Sequence, residues 1–594
     1  AQRAPDDQTL DFLLDDLDVR FGRQLGPVRW GLGGRASYQE DPSRPGFVDA
    51  DNVREVARPT PYAESFKAKA GRLNVVAHGA HAGFPDFMGE RQTDVTAEQD
   101  PKNHLPDNIE AAAELSALIF KYGYSDFDRP IWYEPINEPH WTHFREQHLA
   151  DWHVATVAAF EAAALDTLVG GPCLSVAYFY KNGFNGFNGL KQFIDDTDGR
   201  LPFYSFHAYD YFTWEDGELG GRVTSGLPLH GSLDIVAAYG HHEYGRVFPI
   251  VLSEHGGYVN RGADAFRDDV IGPRQDVTTE AGWEHEMRRR SLDAFQLVSS
   301  VIANTLVFMD HPHTVEKAVP FILPESMAWD PEYYSVMWVP KHFTDMNDWV
   351  PTDNQLFYKL FAGVQGQHVV ATSDDPDIQV QAFREDSDLW LVLNNLADKP
   401  ETLRIDLGEI TASGTARRFG HTDQLTPTFS EEAVTRLDAF ELAGRESVVI
   451  HVEELPREPM TTVLETPLYA KTIAARIDPG DVRDFQIDIP DDIDPNAISG
   501  ASLRLSVQRP HGADPRVHVR VNGIDIEVPL EDAASRYDDG SDDYAACKIV
   551  SLDPALLAAT NTIEVRFDDD AIGSVGSVVL RVQTPADHSQ DRTP

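Results

Sequence analysis

Basic residues are scarce in this chain. Its 594 residues carry 50 Lys and Arg against 97 Asp and Glu, a formal net charge of −47. Such a field repels phosphate backbones and anionic lipid headgroups, so neither nucleic acid nor membrane is expected as a partner. The surplus of acid suits a protein that stays dissolved in salt, and equally a generic solvated surface. Cysteine is almost absent. Cys173 and Cys547 lie too far apart for a disulfide framework or a paired-cysteine metal site, and two free, mostly buried thiols are expected. There is no run of about 18 apolar residues, the length of a membrane-spanning helix. Phosphate-cradling loops of the GxGxxG and GxxxxGKS/T kinds are missing as well.

What is present has two rhythms. The chain is too long for a single core. Up to about residue 370, short apolar runs alternate with helical patterns, as in βα units around a parallel sheet. Strands are expected at Val28–Gly31, Leu73–His78, Pro130–Tyr133, Thr167–Gly170, Phe203–His207, Phe248–Leu252 and Thr305–Met309, with room for one more near 46–60. Helices are expected at 107–121, 146–165 and 284–303, the first opening on an Asp107 cap. These elements fit an α/β fold of the (β/α)8 TIM-barrel kind over 1–370. After that the period shortens. Ile378–Phe383, Leu389–Leu393, Leu403–Leu407 and Ser447–Val452 read as one β-sandwich over 371–457. Ala501–Val507, Val517–Gly523, Thr562–Arg566 and Val578–Val582 read as a second over 458–594, with a frayed polar end. Packing against the barrel is the expected role of both, ahead of sugar binding.

Barrel active sites lie at the C-terminal ends of the strands. Two carboxylates fall there, Glu138 in Asn137-Glu138-Pro139 and Glu254 in Ser253-Glu254-His255-Gly256-Gly257. Hydrolysis of an acetal needs one carboxylic acid to protonate the leaving oxygen, and one carboxylate to attack or to activate water from the other face. The spacing in sequence leaves retention and inversion both open. His207 and Tyr209 are two apart on a strand and share a face, where either can hydrogen-bond a carboxylate or a sugar hydroxyl. His140, Trp141, Trp214, Tyr258 and Trp329 are placed in mouth loops, where ring faces stack on pyranose C–H faces. His78 at a strand end and Glu325 after the Ala318–Pro324 run complete the candidates. Glu134, deeper in its strand, is expected to be a hydrogen-bonded support.

A catalytic metal is not expected, and no cofactor is required. His78/His81, His140/His143 and His311/His313 are suggestive pairs, but no HExxH occurs, and Glu284-His285-Glu286-Met287 lacks the second histidine. The turn Asp538–Asp543 has oxygens for a structural cation, without an EF-hand pattern.

Trp30-Gly31, "WYEPINEPH", "SFHAYD", "LSEHGG" and Ala318–Pro324 together resemble glycoside hydrolase family 86, the β-agarases and β-porphyranases, and the layout of a barrel and two β-sandwiches extends the resemblance over essentially the whole chain. The resemblance implies that Glu138 is the acid/base and Glu254 the nucleophile of a retaining mechanism, with Asn137 on the sugar 2-hydroxyl. It implies an exported, marine, endo-acting enzyme that cuts β-1,4 bonds of a red-algal galactan as a monomer. Agarose is the first choice of substrate. A 6-sulfated porphyran is the alternative, which needs a cation such as Arg35 near the sugar. A chain that begins Ala1-Gln2-Arg3 without methionine is in keeping with a removed leader, and with trimming. A binding protein on a retired barrel is the rival of another class; the presence of both glutamates argues against it.

Overall fold

The computed structural model describes residues 11–27, 38–79, 84–92, 104–175, 178–259, 263–325, 332–407, 413–453, 455, 461–533 and 543–586. Its first part is a parallel wall. The strands are β1 (Arg23–Leu25), β2 (Val76–His78), β3 (Trp132–Glu134), β4 (Leu168–Val169), β5 (Gly171–Leu174), β6 (Tyr204–Phe206), β7 (Ala208–Glu215), β8 (Glu218–Arg222), β9 (Ile250–Val259) and β10 (Val315–Pro320). One parallel ladder runs β1-β2-β3-β4, a second β5-β6-β9-β10, and only Gly170 separates β4 from β5. The hairpin β7–β8 lies on the far half of β9. The free edges of β10 and β1 approach each other: Lys317 Nζ donates to the Phe21 carbonyl at 3.3 Å. Gly22 has no room for a side chain there, because a Cβ would stand 2.6 Å from Val319 Cγ1. Among the described residues the wall is thus two ladders, rather than the one closed eight-stranded ladder expected.

Alternation along these short strands builds the interior in layers. Val76, Trp132, Phe203, Val251 and Val319, from different parts of the wall, form one buried apolar cluster. Two residues further along, on the same face, stand His78, Glu134, Ser205 and Ser253, all buried. An apolar floor therefore carries a polar layer, and the candidate site lies above it.

Helices α1 (Ile109–Tyr122), α2 (His148–Ala162), α3 (Leu227–Tyr244) and α4 (Glu280–Met309) are packed around the wall. Asn108, not Asp107, caps α1, its side chain accepting from the Ala111 N–H. Two expected strands are corrected. Thr305–Met309 is the last turn and a half of α4. Its apolar run reads as a buried strand, yet no Gly or Pro breaks the helix before Pro312, and periodicity cannot tell the two apart in so short a run. The space at 46–60 holds a helix, Ala50–Val56, capped by Asp49. Val28–Gly31 lies outside the described residues. By length and hydropathy α4 is long and apolar enough to cross a membrane, but 78% of that window is buried inside the protein.

The rest is all-β. One sheet runs Gln367–Val369, Ile378–Glu385, Asp388–Asn395, Ser447–Val452, Gly414–His421, Pro427–Val434 in spatial order. Its central strand Asp388–Asn395 is apolar on both faces for a reason. Leu389, Leu391 and Leu393 enter a core with Phe440 and Leu442, while Trp390 and Val392 pack with Phe295 and Val298 of α4. The last unit is two sheets, Val463–Tyr469, Gly573–Pro585, Gly500–Arg509, Tyr544–Leu552 against Arg483–Asp488, Thr560–Arg566, His518–Val521, Ile524–Ile526. Phe485, Leu503, Leu505, Val519, Ile563 and Leu580 fill the space between them.

This unit is bound to the wall's helices by charge. Arg504 is 2% exposed, and its Nε donates to Asp234 Oδ2 at 2.9 Å and its Nη1 to Asp310 Oδ2 at 2.8 Å. Nη2 meets His230 Nδ1 at 2.8 Å and His311 Nε2 at 3.0 Å.

Candidate active site

The polar layer is organised around Arg23, which lies in β1 with its side chain buried. Its Nη2 donates to Glu134 Oε2 at 2.8 Å, to Asn137 Oδ1 at 2.8 Å and to Cys173 Sγ at 3.1 Å, and its Nη1 to Glu254 Oε1. Burial opposes the guanidinium charge, but the Glu134 and Glu254 carboxylates outweigh it and raise the Arg23 pKa. Glu134 is fully buried and takes a second bond from Ser253 Oγ at 2.7 Å, the hydrogen-bonded support expected of it.

Glu254 reaches the interior through an irregularity. Alternation from Val251 and Ser253 would turn it outward, but the register between β9 and β10 shifts between Leu252 and His255. A bulge of this kind re-aims a side chain. Glu254 then accepts from Arg23 on Oε1 and from the Tyr209 hydroxyl on Oε2, the latter at 2.7 Å. Both oxygens are held by donors. Tyr209 is pushed well above its ordinary pKa, by burial first and by the Glu254 charge second.

Glu138 stands opposite, in the loop after β3, with φ +45°. Its N–H donates to the Cys173 carbonyl at 3.1 Å. His207 lies between the carboxylates, its Nδ1 2.8 Å from Glu138 Oε1 and 3.4 Å from Glu254 Oε2. Burial alone would lower the His207 pKa. Glu254, Cys173 and the bond to Glu138 reverse this and raise it well above the usual value. One oxygen of Glu138, one of Glu254 and a His207 nitrogen all lie within 4.8 Å of one another. The side chains of Glu138 and Glu254 are 19% and 10% exposed, and that of His207 is closed to solvent.

Asn137, Glu138, His207, Tyr209 and Glu254 thus come together as their sequence context suggests, and the other candidates form a periphery. Tyr258, 42% exposed, sits edge-on to Tyr209 at 5.7 Å and to Tyr211 at 5.5 Å. Trp141, 55% exposed, has Arg145 over its ring at 4.2 Å and His140 beside it at 5.5 Å. His78 and Glu325 are buried, His78 in register with Glu134. Trp214 is corrected: it is in strand β7, not a mouth loop, packs on Phe266 at 4.8 Å and donates to Asp269 Oδ2 at 2.8 Å. The strand simply runs on past Tyr209 as a hairpin. Trp329, Trp30, Gly31, Arg35 and His81 lie outside the described residues, as does the Asp538 run up to Asp543. Of the histidine pairs, His140 Nδ1 meets Thr142 Oγ1 at 2.8 Å, and His311 faces the Arg504 guanidinium. Both cysteines are free and buried.

Sequence reading missed Arg23 and the part of Cys173. Arg23 sits beside Gly22, in a strand of three residues, and apolar counting favours the following Val28–Gly31. The close glycine before an arginine was the one available signal.

A pair of glutamates facing each other above a parallel wall is an arrangement that carboxylate-type glycoside hydrolases use. Comparisons with known proteins narrow the class. A family model described as porphyranase beta-sandwich domain 1 matches residues 377–475, and one described as beta porphyranase A C-terminal matches 486–583. A funoran endo-beta-hydrolase of Wenyingzhuangia aestuarii is 26% identical over 96% of this chain and 76% of its own. Beta-porphyranase A of Phocaeicola plebeius is 25% identical over 67% of the chain, which spans about half (53%) of that protein. A beta-agarase of Pseudoalteromonas atlantica is 22% identical over 67% of this chain and 78% of its own. The fold is shared with a wild-type family 86 enzyme solved with neoagarooctaose, at TM-score 0.78 and 21% identity over 97% of this chain and 92% of that one. It is shared also with a family 86 beta-porphyranase of Bacteroides plebeius, at TM-score 0.72 and 21% identity over 98% and 94%. The resemblance to glycoside hydrolase family 86 is borne out, and both family models fall on the all-β part of the chain.

Proposed function

We propose that this protein is an endo-acting, retaining glycoside hydrolase that cleaves β-1,4 linkages of a red-algal galactan. The observation that carries the mechanism is the separation of the carboxylates. Retaining enzymes hold their two carboxyl groups about 5–5.5 Å apart and inverting ones about 6.5–9.5 Å; here one oxygen of each lies within 4.8 Å of the other. The environments divide the roles. Glu254, with donors from Arg23 and Tyr209 on its two oxygens, is set as a carboxylate to attack the anomeric carbon. Glu138, beside the titratable His207, protonates the leaving oxygen. It then takes a proton from the water that hydrolyses the glycosyl–Glu254 ester. Asn137 holds the 2-hydroxyl of the sugar.

The seven chain passes of the wall are read as a (β/α) barrel over 1–370, with sandwiches at 371–457 and 458–594. The protein acts outside the cell, as a monomer and without a cofactor. Agarose is the first substrate. Porphyran is the second reading, favoured by the two porphyranase-named family matches and by Arg222, whose guanidinium lies 4.5 Å over the Tyr178 ring and whose charge acts on Tyr258, as Glu138 does. Product analysis on agarose and on porphyran decides between them, and activity on neither defeats both. Glu138→Gln and Glu254→Gln should each abolish hydrolysis and keep oligosaccharide binding. NMR of the first-formed product should show the β-anomer; the α-anomer would refute retention.

A further inference from the structure

Cys173 touches Arg23, Asn137, His207 and the Glu138 backbone without facing solvent. Its Sγ lies 3.1 Å from Arg23 Nη2, 3.2 Å from His207 Nε2, 3.3 Å from Asn137 Oδ1 and 3.7 Å from Ser253 Oγ. Its carbonyl accepts from the Glu138 N–H at 3.1 Å, and its own N–H donates to Ser205 Oγ at 3.0 Å. Both residues joined by that backbone bond are in the left-handed region, Cys173 at φ +57° and Glu138 at φ +45°. A side chain in that region costs on the order of 1 kcal/mol or more and persists where surroundings over-determine it. The thiol is directed inward, onto Arg23, Asn137 and His207.

We propose that Cys173 is a positioning residue that fixes which nitrogen of His207 carries the permanent proton, and so couples His207 to Glu138 as a pair sharing one proton. The hydrogen-bond inventory leads there. The thiol donates to the Asn137 carbonyl oxygen at 3.3 Å, nearer than Ser253 Oγ at 3.7 Å; its single proton is used there, and towards His207 the sulfur is an acceptor. Nε2 must then carry hydrogen. Nδ1 is left as the titrating nitrogen, facing Glu138. With Glu138 as a carboxylic acid, its O–H donates to a neutral Nδ1; with Glu138 as a carboxylate, Nδ1–H donates to Oε1. The charged and titratable groups around His207 are Glu138 from the loop after β3, Glu254 from β9, Cys173 from β5 and Tyr209 from β7, whose ring is 6.1 Å away. Arg23 reaches it through the sulfur. No other described side chain is needed to set the tautomer.

The proposal rests on the retaining-hydrolase reading, and the test keeps the two separate. Cys173→Ala and Cys173→Gly remove the acceptor, glycine without backbone strain at φ +57°; Cys173→Ser keeps an acceptor and a donor. Loss of one such bond is worth about tenfold. Ala and Gly should lower kcat about tenfold with KM within about twofold, move the basic limb of the kcat–pH profile by about one unit, and Ser should restore both. In parallel, ¹⁵N-histidine NMR of the full chain, with His207 assigned by its loss in His207→Gln, should show one tautomer protonated at Nε2 in the wild type and in Cys173→Ser, and a mixture in Ala and Gly. An unchanged tautomer and pH limb in Ala or Gly overturns the proposal, including where thermal stability alone has fallen. A wild type that hydrolyses no galactan overturns the functional reading instead, and the NMR still decides the tautomer.

Discussion

Replacing Arg504 by methionine tests how the C-terminal sandwich is held to the rest of the protein. The guanidinium is the partner of two carboxylates, and they would not suffer equally. Asp310 keeps a second arginine, with Arg581 Nη1 3.2 Å from its Oδ1. Asp234, 2% exposed, keeps among the described residues the His311 Nδ1 at 3.8 Å and the weak Cys547 thiol donor at 3.8 Å, and no cation in close contact. Removing one partner of a buried pair strands the other charge, at a cost of about 3–5 kcal/mol. Arg504→Met should therefore lose about that much in equilibrium denaturation. The double variant Arg504→Met/Asp234→Leu should recover most of it, because replacing both members by apolar groups is often near neutral. A single-variant loss below about 1 kcal/mol, or a double variant no better than the single, would refute a charge-dependent anchor.

Buried histidines add a pH dependence. Burial holds His313 and His153 down to about 4 and His255 down to about 3. Their folded values lie below the ordinary 6.5, so the unfolded chain takes up protons first as pH falls. Stability is lost from about pH 6.5 down to those values, by about 1.4 kcal/mol per unit for each histidine, and denaturation midpoints flat between pH 6.5 and 4.5 would contradict this. His207 runs the other way, its contribution being lost as pH rises through its raised value. Tyr209→Phe removes a donor from Glu254 and should lower kcat/KM about 10- to 100-fold, from about 1.5–3 kcal/mol for a bond to a charged group; a loss under about threefold would remove Tyr209 from the mechanism. Trp141→Ala, at an exposed ring, should raise KM several-fold and leave thermal stability unchanged, as stacking worth about 1 kcal/mol implies; an unchanged KM would make the ring incidental.

The parts of the site that were legible in the sequence are those carried by local context. Glu138 and His207 follow short apolar strands at the expected phase, and alternation puts Tyr209 with His207. Glu254 was found by its neighbours rather than by phase, since alternation alone points it outward and the shift against β10 is a property of two strands together. Arg23 and Cys173 were hidden for the same reason, partners distant in sequence: Arg23 and Glu254 are 231 apart, and Cys173 lies 34 from His207 and 36 from Asn137. Leu389–Leu393 and Ser447–Val452 were read nearly residue for residue, because they announce β structure by length and by β-branched or large apolar side chains; Leu403–Leu407 is corrected to a strand at Glu401–Leu403, and the more polar strands Gly414–His421 and Pro427–Val434 gave no such signal. The end of α4 was misread because helix and buried strand share one composition there, and only the missing breaker before Pro312 distinguishes them.

The apolar floor of Val76, Trp132, Phe203, Val251 and Val319 has a consequence for traffic. Protons do not cross a dry hydrocarbon layer, so the base of the wall is no route by which the site can be recharged. Glu138 is the more exposed of the two glutamates and opens to the mouth. On the proposed mechanism the proton that Glu138 gives up comes back from the hydrolytic water, which must enter through the same opening that admits the polysaccharide. A bound chain that fills the mouth then also meters the proton supply, and a solvent isotope effect that grows with substrate length would be its signature.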